Sequence, residues 1–306
     1  TRLDKRKPPL TGPSDSAATG SPLPARNPDN LARAMAWMVF SGLSFAFMGA
    51  MVRFSGEVGL PAKVFFRNLV TLGITTVYAL RSGENLLGPT PNWSRLLLRS
   101  FAGLTGVTLY FLALDRLHLA DASLLNKTSP FFTILFATLV LKEKLPRVII
   151  PALLMAFLGA ILVIKPRFDL SALPALGGFA SGMFAGLAYT VVRSLKGRES
   201  PTRIIFTFSL ISVLATAPFL VANFPHPTVW QWLALVGTGI FAAGGQFGLT
   251  FAYHHAPAAR VSIYAYLHVL FALILGFVFW QEKPDLASLL GGMLIIAAAV
   301  KTHRNQ

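Results

Sequence analysis

From Leu31 onward the chain is a succession of long apolar runs separated by short polar breaks. Ten such runs occur, at roughly 31–54, 62–80, 97–114, 119–141, 147–164, 173–193, 202–223, 229–253, 259–280 and 285–301. A helix needs about 20 apolar residues to cross a bilayer, with about 17 the practical minimum. Barrel strands are about 10 residues of alternating polarity, and no such alternation runs through this sequence. Hydrophobic residues make up 54% and charged ones 13%, and a soluble domain carries about twice that charged share. The expectation is an all-α polytopic membrane protein with ten transmembrane helices. An ordinary globular enzyme, a disordered chain and a fibrous repeat are excluded.

The breaks carry turn and stop chemistry: Ser-Gly-Glu at 55–57, Arg-Ser-Gly-Glu at 81–84, Pro146, Lys-Pro at 165–166, Lys-Gly-Arg at 196–198, Pro-His-Pro at 225–227 and Glu-Lys-Pro at 282–284. Residues 1–30 are polar and proline-rich, with a basic cluster at Lys5, Arg6 and Lys7, and read as a disordered cytoplasmic tail. Lys and Arg accumulate in cytoplasmic loops. With the N-terminus inside, 19 of the 27 Lys and Arg fall on the inner side and 6 on the outer, while Arg67 and Lys127 fall within spans. Both termini are therefore placed in the cytoplasm of a cell-membrane protein. The same bias accounts for the net charge of +15, so nucleic acid is not expected as a partner. The chain has no cysteine, which removes disulfides, thiolate metal sites and Cys nucleophiles.

Self-comparison reveals a repeat with a period near 140 residues. Pro61-Ala-Lys-Val-Phe-Phe66 aligns with Pro201-Thr-Arg-Ile-Ile-Phe206, and Val52-Arg53 with Val192-Arg193. One residue is then lost, so that Ser123 and Glu143-Lys144 align with Ser262 and Glu282-Lys283. The chain reads as two five-helix units, 31–170 and 171–306. Five is odd, so the two copies lie in opposite orientations, the inverted-repeat plan of secondary transporters.

With these features the sequence resembles the EamA-type branch of the drug/metabolite transporter superfamily. The resemblance rests on ten short helices, the duplicated unit, Leu112-Ala-Leu-Asp-Arg-Leu-His-Leu-Ala-Asp-Ala-Ser123 entering the fourth span, and Lys142-Glu143-Lys144 leaving it. Pro130 fits the family pattern; in the ninth span the corresponding residue is Val269. The resemblance implies the family fold and leaves the substrate open.

Several polar residues lie too deep for a lipid-facing surface. Lys127 is about eight residues into the fourth span and Arg67 about six into the second, some 9–12 Å below the outer surface at 1.5 Å per residue. A lipid-facing cation costs about 2.5 kcal/mol or more, so both are expected to face the interior, although a long stem can also lift its head to the interface. Asn126, Thr128 and Ser129 make a polar belt around Lys127 before Pro130. Pro130 removes a helical hydrogen bond and is the candidate hinge. His268, the repeat mate of Ser129, is the histidine deepest in a span and reads as a cavity residue rather than a proton carrier. Tyr110 and Gln246 are candidate cavity residues, whereas Tyr253, Tyr264 and Tyr266 suit the aromatic interface belt. Gly178, Gly182 and Gly186 form a small-residue ridge suited to close helix packing.

No phosphate-binding loop, zinc-protease motif or His/carboxylate cluster occurs, so no cofactor or metal is expected. The leading function is a secondary transporter of a small organic solute, with Arg67 and Lys127 pointing to a carboxylate-bearing one. Its substrate site would comprise Lys127, Arg67, Asn126, Ser129, Tyr110, Gln246 and His268. A lipid or lipid-linked-sugar flippase of the same fold would need a groove open sideways. A membrane-embedded lipid enzyme would need a reactive cluster that the scattered acids do not supply. Membrane lipid surrounds the protein in any of these readings, and a homodimer is left open.

Overall fold

The computed structural model describes residues 31–141, 149–164, 172–195, 197–222, 224, 226–255 and 262–304. The tail at 1–30 and the loops containing Glu143 and Arg167 lie outside them. The first half contains α1 (Leu31–Phe54), α2 (Leu60–Ser82), α3 (Trp93–Arg116), α4 (Leu119–Asn126), α5 (Ser129–Leu141) and α6 (Ile149–Ile164). The second contains α7 (Leu173–Leu195), α8 (Pro201–Ala222), α9 (Val229–His255), a 3-10 turn (Ser262–Tyr266), α10 (Leu267–Trp280) and α11 (Leu286–Arg304). Among the described residues, five uninterrupted stretches are long and apolar enough to cross a membrane: α1, α7, α8, Trp93–Leu114 of α3 and Val229–Ala252 of α9.

Among the described residues, two spans are divided. The fourth breaks into α4 and α5 at Lys127–Thr128, and the ninth into the 3-10 turn and α10 at Tyr266–Leu267. These breaks fall at equivalent positions of the repeat. Pro130 sits in the first turn of α5, where a missing N–H costs little. It begins a new helix rather than kinking a continuous one. The ninth span breaks at the same place with Val269 there, so proline is not what makes the break.

Local chemistry fixes the ends. Pro61 lies in the first turn of α2, and Gly83 closes the helix at φ 70°, its N–H bonded to the Ala79 carbonyl. Only glycine adopts that left-handed conformation without a steric penalty.

The bundle is apolar outside, and its largely apolar interior also holds polar side chains. Leu80, Val221 and Trp230 project outward, while Lys63, Arg67, Thr71 and Thr75, spaced four apart on one face of α2, are buried. The Thr71 hydroxyl donates to the Arg67 carbonyl at 2.8 Å and the Thr75 hydroxyl to the Thr71 carbonyl at 2.7 Å. A membrane interior supplies no water to these groups, so the helix itself must.

Most packing is between the halves. α1 lies against α9 and α3 against α7; α2 pairs with α8 and α6 with α11. α4 and α5 pack on α7, as α10 and the 3-10 turn pack on α1. Exchanging each span with its repeat mate returns the same set of pairs, which is the signature of a pseudo-two-fold axis. With five spans per half, that axis relates two inverted five-helix repeats.

Glycines set the closest approaches. A Cβ on Gly159 would meet the Gly291 carbonyl at 2.6 Å, so the α6 and α11 backbones touch. A Cβ on Gly182 would meet the Leu125 carbonyl at 2.8 Å and collide with the Thr128 hydroxyl; one on Gly186 would meet the Ser129 carbonyl at 2.9 Å. The expected ridge of α7 therefore packs directly onto the α4–α5 break.

Candidate functional site

A cavity of about 70 Å³ lies between the halves. Eight of the ten spans contribute to its lining; α6 and α11 do not. Arg67, Tyr110, Asn126, Lys127, Gln246 and His268, all expected from the sequence, line it together. Ser129 does not: it is buried, behind the lining.

The α4–α5 break places Lys127. Its amide bonds back to the Ser123 carbonyl at 3.0 Å, whereas Thr128 bonds to Leu125 at 3.1 Å, a tightening of the last turn. The Lys127 carbonyl accepts a bond from the Tyr266 hydroxyl at 3.2 Å. The two broken spans thus brace each other across the pseudo-symmetry axis. Tyr266 is 6% exposed, so it is an internal strut and not the belt residue the sequence indicated. The Lys127 ammonium lies 5.8 Å from the Phe45 ring centroid. His268 stands edge-on to the same ring at 6.4 Å.

Neighbouring polar groups are held in place. The Asn126 amide donates to Ser181 at 3.0 Å. Tyr110 shares a 3.0 Å hydrogen bond with Ser123, within α4. The Arg67 guanidinium donates to the Asn68 side chain at 2.6 Å, and Asn68 in turn donates to the Val64 carbonyl at 2.8 Å. Arg67 is 1% exposed, so it does not snorkel.

Sequence reasoning assigned Arg99 to a cytoplasmic loop. The third span begins at Trp93, four residues before the apolar run, after Pro91-Asn92. Arg99 therefore lies nearly two turns inside α3 and is 5% exposed. Its guanidinium stacks 3.9 Å from the Phe208 centroid, and Arg67 lies 5.2 Å from the same ring. The signal was available, because Arg99 is set between Leu96-Leu97-Leu98 and Phe101. Tyr189 and Phe208 also line the cavity and also went unrecognised. No Asp or Glu is among the lining residues, and no metal-binding cluster of His, Asp and Glu occurs among the described residues.

Among the described residues, the acids that pair or cap sit at the two ends of the bundle. At one end Glu282 pairs with Arg53 and accepts the Leu119 amide at 2.8 Å, capping α4. Lys63 pairs with Asp115 at 2.6 Å nearby. At the other end the loop from α2 to α3 is fastened to the loop from α7 to α8. Glu199 accepts from Thr90 and, at 2.9 Å, from Asn92, and pairs with Arg203 at 3.3 Å. Glu84 accepts from Ser200 at 2.8 Å and Thr202 at 3.1 Å.

The chain matches the EamA-like transporter family twice, over residues 32–165 and 172–302. It is 33% identical over 272 residues to the pseudopaline exporter of Pseudomonas aeruginosa, covering 88% of this chain and 95% of that one. It is 27% identical over 281 residues to a riboflavin transporter of Brucella anthropi, covering 87% and 97% respectively. A human protein of solute carrier family 35, member G1, is 26% identical over 70% of this chain and 63% of its own. A crystal structure of a protein at 19% identity shares the fold, with a TM-score of 0.65 over 88% of this chain.

Proposed function

Because this chain belongs to the EamA-like transporter family, we propose that it is a secondary transporter of a small, carboxylate-bearing organic metabolite. It is a multi-pass membrane transporter and not an enzyme. The observation that carries the substrate class is a cavity between the halves lined by three buried cations, Arg67, Arg99 and Lys127, and by no acid. An anion entering it replaces the water it leaves behind with fixed positive charge. Asn126, Tyr110, Gln246 and His268 supply neutral polar contacts. Phe45, Met48 and Val107 supply apolar wall.

Transport proceeds by alternating access around this site. The packing between the halves stays, and the fastenings at the two ends release in turn: Arg53–Glu282 with Lys63–Asp115 at one end, and the Glu84 and Glu199 clusters at the other. The relatives act on solutes as different as pseudopaline and riboflavin, which supports a small organic solute as the class. The exporter among them supports outward movement. Removing Arg99 from the inner-side count leaves 18 Lys and Arg against 6, which still supports cytoplasmic termini in the cell membrane. Reporter fusions at Pro91 and Gly197 are expected to read cytoplasmic, and at Arg167 and Pro225 external; one reversed reading overturns the orientation for that half.

The function is tested by counterflow of radiolabelled amino and carboxylic acids in liposomes holding the purified chain. Accumulation against an internal pool of the same solute supports the reading. Movement of labelled lipid between leaflets, without solute counterflow, sinks it.

A further inference from the structure

A single carboxylate brings one negative charge, but the cavity presents its cations in two places. Arg67 and Arg99, from α2 and α3, share the ring of Phe208. Lys127, from the α4–α5 break, lies over Phe45 of α1. Each group is buried against a different aromatic, within cation–π range. Three donor nitrogens of the arginine pair are idle: Arg67 Nε and Arg99 Nε and Nη1 are buried with no protein hydrogen-bond partner. The carboxylates that pair elsewhere, Glu282, Asp115 and Glu199, serve Arg53, Lys63 and Arg203.

Two guanidinium groups without a counter-charge are a costly arrangement for folding. Each loses hydration, and the two repel. A flat oxyanion relieves both terms. The guanidinium fork takes a carboxylate through parallel N–H bonds, which an ammonium cannot do. Lys127 is a point charge on a flexible stem and suits a second anionic group in any orientation.

We propose that Arg67 and Arg99 form one anion subsite and Lys127 a second, so that the transported solute is at least a dianion whose two charged ends are joined by an apolar stretch. This rests on the transporter reading of the same cavity. The asymmetry follows the repeat. All three cations come from the first half, at Arg67, Arg99 and Lys127. Their repeat mates in the second half are Thr207, Gly239 and Tyr266. The solute is therefore gripped through one half and walled in by the other, with Phe208, Tyr189 and Gln246 facing it from the second.

The test is thermal unfolding of the purified full chain in detergent with succinate, glutarate, adipate and pimelate, each against its monomethyl ester. A ligand that binds only the folded state raises the midpoint. At equal concentration the best diacid is expected to raise it by about 3 °C or more beyond its ester. Arg99→Gln and Lys127→Gln are each expected to cut the diacid shift to the ester's size. Without ligand, Arg99→Gln is expected to unfold at the wild-type temperature or above it, since it removes one of two like charges. A merely structural arginine would give the opposite. If that variant does not fold, Arg99→Lys keeps the charge but not the fork, and is expected to lose about tenfold in diacid affinity, or about 1.4 kcal/mol. Equal shifts from diacid and ester overturn the two-subsite proposal and leave the single-anion transporter standing. No shift from any acid overturns both.

Discussion

Lys127 terminates α4, braced from behind by Tyr266 on its carbonyl and set against Phe45 at its ammonium. Lys127 is buried and faces the cavity rather than lipid. Lys127→Met keeps much of the volume and removes the charge. Transport of an anionic solute is expected to fall about tenfold or more, since one lost charge-assisted contact is worth about 1.5–3 kcal/mol. Folding is expected to stay near normal by size-exclusion and thermal unfolding, and unchanged transport would overturn the role. This residue was legible from sequence because it stands in a polar belt inside an apolar run. Arg99 was not. Its helix begins four residues before the hydrophobic signal does, and a cation near a span end is ordinarily counted with the loop. The difference between a loop arginine and a cavity arginine is decided by α8, which places Phe208 beside it from 109 residues away in the sequence.

At the scale of the helix, the apolar runs fixed where the spans lie, because twenty apolar residues in lipid have only one way to satisfy their backbone. They did not reveal that two spans are broken. Pro130 hinted at the first break, but Val269 gives no such hint at the second; there the repeat offset is the only sequence signal. What holds the first break is packing. A Cβ at Gly182 would fall 2.8 Å from the Leu125 carbonyl and against the Thr128 hydroxyl, and the neighbouring Ser181 hydroxyl receives the Asn126 amide. Gly182→Val adds bulk where backbone, not a movable side-chain end, is in the way. Overpacking of this kind costs about 1–3 kcal/mol, and for a chain of this size that is a loss of several degrees in the unfolding midpoint. Because the displaced segment carries Asn126 and Lys127, solute affinity is expected to fall with stability. Gly177→Ala, where the nearest atom is at 3.9 Å, is the control and is expected to change neither. Wild-type affinity and stability in Gly182→Val would show that the break does not depend on this contact.

For the whole molecule, the inverted repeat makes the two ends of the bundle chemically related but not equivalent, and transport requires that each fastening be strong enough to hold and weak enough to release. Glu199 sits at the end formed by the α2–α3 and α7–α8 loops, outside the spans. Burial alone would raise its carboxyl group, but the Thr90 and Asn92 donors and the charge of Arg203 outweigh it and hold the group below the usual carboxylate range. The sign follows. The folded state binds the Glu199 proton more weakly than the unfolded chain, so its stabilisation is complete above the ordinary glutamate value, about pH 4.3. That stabilisation is lost as pH falls through the lower folded value. Glu199→Gln retains hydrogen bonding but has nothing to titrate. Near neutral pH the variant is expected to unfold a few degrees below wild type, and to hold that end of the bundle closed for less of the time, raising access of a membrane-impermeant thiol reagent to a cysteine introduced at Ala188 in a chain that has none of its own. On acidification below about pH 4 the two unfolding midpoints should converge, because wild type loses what the variant never had. A gap between them that stays constant down to about pH 3 would mean that the charge of Glu199 contributes nothing to the fastening and that its neighbours hold by hydrogen bonding alone.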